Sequence, residues 1–380
     1  MIRAAAAGFL ALLVSGCSLF GGDDELKPAK LIDFTPEIAV KRAWSVEVGG
    51  KSKLPLGGLR PSVRGGKVHA AGAGGRVRSI DPATGRILWT TELDEPLSAG
   101  PGLGDDLILV GSLDGEVIAL DEVTGAERWR AQTSSEILAA PQAADGMVIV
   151  RSQDGRVFGF ESETGRRAWV YDQSVPLLTL RGTGEPLLRG GYAYLGFDNG
   201  RMAALRIADG TVVWEQTVSA PQGRTELERI VDIDGAMVMV ASDIYTVTYQ
   251  GLLAALTANS GRLLWVKDMS SAGGVSVSRT QLAVADSNDA VWGIDRLTGG
   301  TLWKQDALVR RLVTGPAYHG DAVVVGDFEG YLHWMAEDDG RFVARQKAGS
   351  SGLVVRPQVV GNLLIVQSQD GKVSAFEAAP

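Results

Sequence analysis

Residues 115–129 read Gly115-Glu-Val-Ile-Ala-Leu-Asp121-Glu-Val-Thr-Gly125-Ala-Glu-Arg-Trp129, and residues 155–169 repeat the pattern as Gly155-Arg-Val-Phe-Gly-Phe-Glu161-Ser-Glu-Thr-Gly165-Arg-Arg-Ala-Trp169. In both copies a glycine stands 14 positions before a tryptophan, and an apolar run between them is closed by Thr-Gly. A unit that recurs at about 40 residues indicates a repeat architecture rather than one or two ordinary domains.

The repeat extends along almost the whole chain. In six copies a turn residue stands 14 positions before a tryptophan, and one further tryptophan, Trp44, has no such turn before it. The turn residues are Gly75, Gly115, Gly155, Gly200, Gly251 and Asp289, and the tryptophans that follow them are Trp89, Trp129, Trp169, Trp214, Trp265 and Trp303. A seventh copy runs from Gly330 to Ala344, where alanine replaces the tryptophan. An eighth copy begins at Gly371 and stops at the last residue.

Each copy is predicted to be a set of four β-strands. Short apolar runs end in hairpin signals such as Asp154-Gly155 and Asn199-Gly200. An inner strand is expected to start near each of several prolines, since proline is tolerated at a strand's first residue; these are Pro101, Pro141, Pro186, Pro316 and Pro357. Four strands per unit, repeated, are typical of an all-β β-propeller.

The number of turns and tryptophans predicts eight blades of four antiparallel strands over residues 40–380. Trp44 has no turn before it and Gly371 has no tryptophan after it, so the N-terminal strand is expected to complete the C-terminal blade and close the ring. Closure removes free sheet edges. Two separate four-bladed rings are the alternative, but they would leave the termini unpaired.

Composition excludes several classes of function. The formal charge of −8 gives no support for a phosphate-binding surface, so no nucleic-acid partner is expected. A single cysteine excludes an intrachain disulfide and a thiolate zinc cluster. The three histidines, His69, His319 and His333, do not stand at metal-ligand spacing, and no Gly-x-Ser-x-Gly elbow is present. We expect no metal and no cofactor.

Repeated aspartates at one position of each unit, such as Asp81, Asp121 and Asp295, could be calcium ligands taken singly. Because they recur at the same turn position, turn capping is the favoured interpretation.

The N-terminus predicts a targeting segment. Arg3 precedes an apolar stretch from Ala4 to Val14, which is too short to span a bilayer, so residues 1–16 are predicted to be a signal peptide. Leu13-Val-Ser-Gly-Cys17 resembles the lipobox of bacterial lipoproteins, which implies that Cys17 carries the lipid and that Ser18 permits sorting to the outer membrane. A buried cysteine behind an ordinary secretory signal is the alternative. Residues 17–39 are predicted to be the lipidated cysteine and a flexible linker, with a reach of about 70 Å from Ser18 onward.

The repeat Ala/Gly-Leu-Asp-x-x-Thr-Gly-x-x-x-Trp resembles the tryptophan-docked propellers of the pyrroloquinoline-quinone type. With the lipobox, the chain resembles the BamB family of outer-membrane β-barrel assembly lipoproteins, through three further blocks: Leu178-Thr-Leu180-Arg181-Gly182, Thr225-Glu-Leu-Glu-Arg-Ile-Val-Asp232-Ile-Asp234, and residues 311–344. This resemblance implies a non-catalytic scaffold at the periplasmic face of the outer membrane, which binds the POTRA domains of BamA and assists nascent outer-membrane proteins. A quinoprotein or other propeller enzyme is the alternative, although the disulfide of adjacent cysteines that often stacks on the quinone cannot form here.

The resemblance also implies the partner-binding residues, which are Leu178, Leu180, Arg181, Asp232 and Asp234. Each has a simpler interpretation. The two leucines could pack onto the sheet, Arg181 could be a solvated charge, and the aspartates could cap turn amides instead of facing a partner. Glu228 stands where the family pattern has aspartate, and residues 242–250 diverge from the family text.

Insertions predict a binding face independently of the family. The spacing from turn to tryptophan is constant, so extra residues fall between a tryptophan and the next turn. Alignment on the prolines places extra residues before Pro61 and Pro186, and alignment of Gly235 with the turn glycine Gly146 places others on both sides of Gly235. In an up-and-down blade these positions open on one face, where a partner surface is expected.

Overall fold

The computed structural model describes residues 27–51, 58–176, 178–180, 182 and 184–379. Of the predicted site residues, Cys17 and Arg181 lie outside the described residues. Among the residues that are described, no helix is long and apolar enough to cross a membrane. Secondary structure in this part of the chain consists of strands and turns.

The strands form eight four-stranded antiparallel sheets, numbered here as blades in chain order. Blade 1 is Ser62–Arg64 (β2), Lys67–Ala71 (β3), Arg76–Ile80 (β4) and Ile87–Glu92 (β5). Blade 2 is Leu97–Gly104 (β6), Leu107–Ser112 (β7), Glu116–Asp121 (β8) and Glu127–Gln132 (β9). Blade 3 is Gln142–Ala144 (β10), Met147–Arg151 (β11), Arg156–Glu161 (β12) and Arg167–Asp172 (β13). Blade 4 is Leu187–Arg189 (β14), Tyr192–Gly196 (β15), Arg201–Arg206 (β16) and Val212–Thr217 (β17).

The second half of the chain repeats the arrangement. Blade 5 is Val238–Val240 (β18), Asp243–Val247 (β19), Leu252–Thr257 (β20) and Leu263–Asp268 (β21). Blade 6 is Val275–Val277 (β22), Gln281–Ala285 (β23), Val291–Asp295 (β24) and Thr301–Gln305 (β25). Blade 7 is Ala317–His319 (β26), Ala322–Gly326 (β27), Tyr331–Ala336 (β28) and Phe342–Lys347 (β29). Blade 8 is Gln358–Val360 (β30), Leu363–Gln367 (β31), Lys372–Ala379 (β32) and, from the other end of the chain, Ala39–Glu47 (β1).

The ring closes as the sequence predicts. Strand β1 pairs antiparallel with β32 from Ala39 opposite Ala379 to Glu47 opposite Lys372. The prediction of an eight-bladed propeller with four-stranded blades is confirmed. The core lies between neighbouring blades, and β7 is buried along its whole length because both of its faces are covered. This explains why the middle strands are apolar at consecutive positions instead of alternating.

The repeated tryptophans join each blade to the next. The indole N–H of each donates to a backbone carbonyl in the turn between the third and fourth strands of the following blade, at 2.6–3.2 Å, in the pairs Trp44–Pro82, Trp89–Glu122, Trp129–Ser162, Trp169–Ile207, Trp214–Ala258, Trp265–Arg296 and Trp303–Glu337. The glycine of that turn lies under the ring. A Cβ on Gly125 would stand 2.5 Å from the Trp89 ring, and its φ of +74° also favours glycine.

The repeated aspartates cap turns. Asp121 accepts hydrogen bonds from the amides of Val123 and Thr124, at 3.1 and 2.8 Å. Asp295 does the same for Leu297 and Thr298. The described residues contain no group of three or more His, Cys, Asp or Glu side chains placed to hold a metal ion. Turn capping, the favoured interpretation, therefore accounts for the position of these aspartates.

One predicted insertion is misplaced by the sequence alignment. Gly235 is not the turn glycine of blade 5, because β18 begins only at Val238 and its turn is formed by Ala241, with φ +53°, and Ser242. The loop between β19 and β20 spans 248–251, as short as its counterpart 152–155 in blade 3. All the extra residues between Trp214 and Gly251 therefore lie in one connection, 218–237. A positive φ at alanine gives no glycine signal, and this is why the alignment shifted.

The predicted linker is partly bound to the ring. Residues 27–38, here called the strap, run along blade 7, and the Glu37 and Ile38 amides donate to the Val343 carbonyl at 2.8 and 3.3 Å. Leu31 and Phe34 pack against the buried cluster between blades 6 and 7. The description of residues 17–39 as one flexible linker is therefore wrong for the strap, whose apolar residues find a packing site that composition alone does not reveal.

Candidate partner-binding face

One side of the ring carries the connections from each outer strand to the next blade, together with the loops between second and third strands. We call it the connection face, and the opposite side the turn face. Three connections on it are long, namely 48–61 between blades 8 and 1, 173–186 between blades 3 and 4, and 218–237 between blades 4 and 5. The last two are the long connections of the candidate site. They are neighbours around the ring, and together they hold all the described residues that the resemblance implies for partner binding.

Asp232 ties the two long connections together. Its side chain is buried, and Oδ2 accepts a hydrogen bond from the Leu180 amide in the other connection. The backbone of the same residue is also fixed, because the Tyr249 amide donates to the Asp232 carbonyl at 2.9 Å. With 1% of its surface exposed, Asp232 holds the Leu178–Leu180 segment from below and does not itself reach the surface.

The two leucines differ in exposure. Leu178 is 39% exposed, whereas Leu180 is half-buried beside the amide that Asp232 holds. Between them, the Thr179 hydroxyl lies 3.5 Å from the Gln153 amide nitrogen of blade 3. Leu178 is thus the apolar side chain that this segment presents to solvent, and Leu180 belongs mainly to its support.

The second connection presents another apolar side chain. Leu227 is 65% exposed. It lies in a capped turn, where the Glu228 carboxylate accepts from the Thr225 amide at 3.3 Å and the Glu228 amide donates to the Thr225 hydroxyl at 3.2 Å. These reciprocal bonds are those of a capping box. Thr225-x-x-Glu228 is visible in the sequence and could have predicted this turn.

A buried ion pair lies below the two connections. Arg151, on β11, pairs with Asp198 in the loop between β15 and β16, and both side chains are almost fully buried. The Arg151 guanidinium also lies 5.3 Å from the centre of the Phe197 ring. Either charge left buried without its partner would be destabilising. The ion pair therefore fixes blade 3 against blade 4 at the base of the site.

Burial raises the pKa of Asp232 to about 7, and the Asp198 carboxylate adds to the rise, while the Leu180 amide and Arg151 oppose it. Burial also raises the pKa of Asp234 well above its usual value, again with Asp198 adding to it. Both Asp234 carboxylate oxygens are inaccessible to solvent and have no hydrogen-bond partner. Burial and the Asp198 charge thus favour the neutral forms of Asp232 and Asp234, which limits the negative charge beside the Arg151–Asp198 pair.

The connection face also contains the mouth of the central channel. A cavity of about 480 Å³ opens there, with Asp234, Tyr249 and Phe328 among its lining residues. Arg60 and Glu185 form an ion pair of 2.5 Å in its wall. Burial, and then the positive charge of Arg60, lower the pKa of Arg356, also in the wall, to about 10.

Comparison with known proteins decides the family. The sequence profile described as "Outer membrane protein assembly factor BamB" matches residues 73–305 and 291–379. A protein of that name from Pseudomonas aeruginosa is 52% identical over 97% of this chain and 96% of its own length. The chain belongs to the BamB family. A Xanthomonas campestris member is 40% identical over 99% of this chain and 98% of its own length.

Solved structures agree with this assignment. BamB from Moraxella catarrhalis superposes with a TM-score of 0.81 at 27% identity, over 89% of this chain and all of that one. A quinohemoprotein alcohol dehydrogenase from Comamonas testosteroni superposes with a TM-score of 0.68 at 15% identity, over 89% of this chain and 76% of that one, which shows a shared fold alone. The curated BamB relatives bear the name of an assembly factor. The chain is accordingly an outer-membrane protein assembly factor and not an enzyme.

Sequence reasoning missed the Arg151–Asp198 pair. The two residues are 47 positions apart and lie on different blades. Each resembles an ordinary strand-end or turn residue in the sequence, where Arg151 precedes Ser-Gln-Asp-Gly and Asp198 precedes Asn-Gly. Only the contact between blades brings them beneath Asp232.

Proposed function

We propose that this BamB-family chain is a lipid-anchored, non-catalytic scaffold of the outer-membrane β-barrel assembly machinery. It binds the POTRA domains of BamA through the connection face and assists the insertion of nascent outer-membrane proteins. Cys17 carries the lipid and places the propeller at the periplasmic face of the outer membrane.

The observation that carries this proposal is the Leu178–Leu180 segment held by Asp232. A partner-binding loop requires an accessible apolar residue on a backbone that does not have to be ordered during binding, because lost ordering entropy weakens association. Leu178 supplies the accessible residue, and the bond from the Leu180 amide to Asp232 fixes the backbone. Leu227, on the neighbouring connection, is a second exposed apolar side chain of the connection face.

The roles of the five proposed residues are therefore divided. Leu178 is proposed to contact the partner, and Arg181 to pair with a partner carboxylate. Leu180, Asp232 and Asp234 are proposed to support that contact, since Leu180 is half-buried, Asp232 is buried and both Asp234 oxygens are inaccessible. A closed ring leaves little scope for rearrangement, so the same surface is offered to each partner.

Co-purification of BamA from solubilised envelopes tests the proposal. Leu178→Asp should strongly reduce the BamA recovered with the chain, and so should Arg181→Glu. Val123→Asp is the matched control, because Val123 is a 70% exposed apolar residue on the turn face. Undiminished recovery with Leu178→Asp, or equal loss with Val123→Asp, would remove the connection face from the interface. Cys17→Ser should release the chain from the membrane fraction, which tests the anchor separately.

A further inference from the structure

The strap fixes where the N-terminal segment leaves the propeller. Its C-terminal end lies beside the start of β29, where Glu37 makes two bonds to the Arg341 guanidinium at 2.9 and 3.0 Å. Farther toward the N-terminus, the Ile32 carbonyl accepts from Arg345 at 2.9 Å. Since β29 runs from the turn face to the connection face, the strap travels toward the connection face as it is followed back toward residue 27.

Aromatic contacts hold the middle of the strap. The Phe34 ring stacks on Phe342 with centroids 5.6 Å apart, and the Arg345 guanidinium lies 5.0 Å from the Phe34 centroid. Arg345 also donates from Nε to His333 Nδ1, at 3.2 Å. His333 therefore accepts at Nδ1 and donates from Nε2 to the buried Asp327 carboxylate at 3.0 Å. The strap is thus coupled to the interior of blade 7.

The N-terminal end of the strap is held on the connection face itself. The Ala29 amide donates to the Val309 carbonyl, and the Ala29 carbonyl accepts from Arg311, both at 3.0 Å. Val309 and Arg311 belong to the connection 306–316 between blades 6 and 7. Arg311 is 3% exposed and bonds to Asp327, so this attachment point is anchored in the core.

We propose that the strap orients the propeller on the lipid surface, with the connection face toward the bilayer and the rim of blades 6 and 7 nearest to it. This inference rests on the proposed lipid at Cys17. From Cys17 to Lys27 the chain can reach at most about 35 Å, half of what a free linker up to β1 would allow. The attachment at Ala29 then determines which face is brought to the membrane.

The orientation has a consequence for the partner. The Leu178–Leu180 segment lies on the same face, at the boundary of blades 3 and 4, away from the strap's exit between blades 6 and 7. A partner bound there would occupy the space between ring and bilayer without displacing the strap. The tether would also raise the effective concentration of the face for any membrane-bound partner.

Energy transfer from a single label to an acceptor dye in the bilayer surface tests the orientation. Cys17 is the chain's only cysteine and its sulfur is consumed by the lipid, so an introduced cysteine is the one free thiol. The label is placed at Leu312→Cys on the connection face or at Leu297→Cys on the turn face, which are 69% and 72% exposed and both near the rim of blades 6 and 7. The lipidated full-length protein is bound to vesicles of neutral phospholipid.

Transfer should be clearly stronger from position 312, because a five- to six-residue strand separates the two faces by about 20 Å. Equal transfer, or stronger transfer from position 297, would overturn the orientation. Intact mass is measured on the same samples. A chain without lipid would overturn the anchor and with it the orientation, whereas lipidated protein with equal transfer overturns the orientation alone.

Substitutions in the strap test whether it is the cause. Phe34→Ala with Glu37→Ala removes the ring stack and the Arg341 pair without altering blade 7, and it should reduce the difference in transfer between the two labels. Lys41→Ala is the control, because Lys41 lies just beyond the strap on β1 and its side chain is 76% exposed. An unchanged difference in the double variant would show that the contacts of Phe34 and Glu37 do not contribute to the orientation.

Discussion

Trp334 and Ala344 are cross-strand partners in blade 7, with the large and small side chains exchanged relative to the other blades. Elsewhere the fourth strand carries the tryptophan opposite a small residue, as in Ala119 opposite Trp129. The turn on which a tryptophan at 344 would dock joins the third and fourth strands of the next blade. In blade 8 those strands are β32 and β1, from opposite ends of the chain, so no such turn exists there.

Blades 7 and 8 are joined by a different set of hydrogen bonds. The Trp334 indole donates to His319 Nδ1 at 3.2 Å, which leaves the proton on His319 Nε2 to be donated to the Asn362 carbonyl of blade 8 at 2.8 Å. Ile38 and Val40 pack against the same buried cluster. Tryptophan thus still links blade 7 to blade 8, but from the third strand and through a histidine.

This arrangement predicts that the exchange cannot be reversed. Trp334→Ala should lower the free energy of unfolding by about 3–5 kcal/mol, since it empties a fully buried site. The double variant Trp334→Ala/Ala344→Trp should remain at least as unstable, because Ala344 is itself buried, Ile38 and Val40 pack against its cluster, and a ring there has no turn of blade 8 to dock on. Denaturant unfolding is the measurement, with Leu302→Ala, half-exposed on β25, as a control expected to change little. Recovery in the double variant would contradict the account.

The connecting histidine has its own test. His319→Ala should destabilise the ring by about 1–3 kcal/mol, since it leaves the buried Trp334 N–H without an acceptor and removes the bond to blade 8. His319→Gln can still accept from one atom and donate from the other, and should lose less. Thermal unfolding of the two variants beside the wild type would decide. Equal losses for Ala and Gln would mean that His319 acts by volume alone.

The fold was largely predictable because the repeat reports on contacts that every blade makes. Gly125 and Trp89, for example, are both required by a single contact, the docking of the Trp89 indole on the turn that contains Gly125. Because every such contact needs the same residue types, the repeat is visible in the sequence. The ring count and its closure follow from counting these signals. For blade 7 the sequence shows only that Ala344 replaces the tryptophan. It does not show that Trp334 is the cross-strand partner of Ala344, because the residues of one strand do not reveal which residues lie opposite them in the next.

The candidate site was less predictable because its support comes from contacts distant in sequence. Leu178 could be placed on a loop, but the bond between Asp232 and the Leu180 amide joins residues 52 positions apart. The sequence suggests two roles for Asp232, contact with a partner or capping of a turn. The structure shows a third, in which Asp232 holds a neighbouring connection. The strap was missed for the same reason, since its packing partners, such as Phe342, lie some 300 residues away.

Asp232 should make stability depend on pH in an unusual direction. Its folded pKa of about 7 lies above the ordinary value, so the folded chain holds more protons than the unfolded chain between about pH 4 and 7. This group's contribution to stability is therefore present below pH 4 and is lost as pH rises through 7. Asp232→Asn keeps an acceptor for the Leu180 amide but cannot ionise, so it should be relatively more stable at pH 8 than at pH 5. Urea unfolding at both pH values measures this, and a constant difference from wild type would contradict it.

His69 should act in the opposite direction. It is fully buried, both ring nitrogens lack a hydrogen-bond partner, and burial, with Lys67 and Arg64 adding to the effect, lowers its pKa to about 4. Below about pH 6.5 the unfolded histidine binds a proton that the folded one does not, so stability is lost as pH falls from there toward 4. His69→Leu should remove this loss and raise stability by about 1–3 kcal/mol at neutral pH. Unfolding curves at pH 5 and 7 would test it, and an unchanged acid dependence would assign the loss to other groups.

The division of roles at the connection face can be tested by a double-mutant cycle. If Asp232 acts on the partner through the Leu178–Leu180 segment, Asp232→Ala should weaken BamA binding although its side chain is buried. Leu178→Ala should weaken binding too, and the double variant should lose much less than the sum of the two single losses, because a displaced loop no longer presents Leu178. Additive losses, measured by titration of purified POTRA domains against the folded variants, would mean that the two residues act independently. Loss with Leu178→Ala but none with Asp232→Ala would show that the loop keeps its binding conformation without the buried carboxylate.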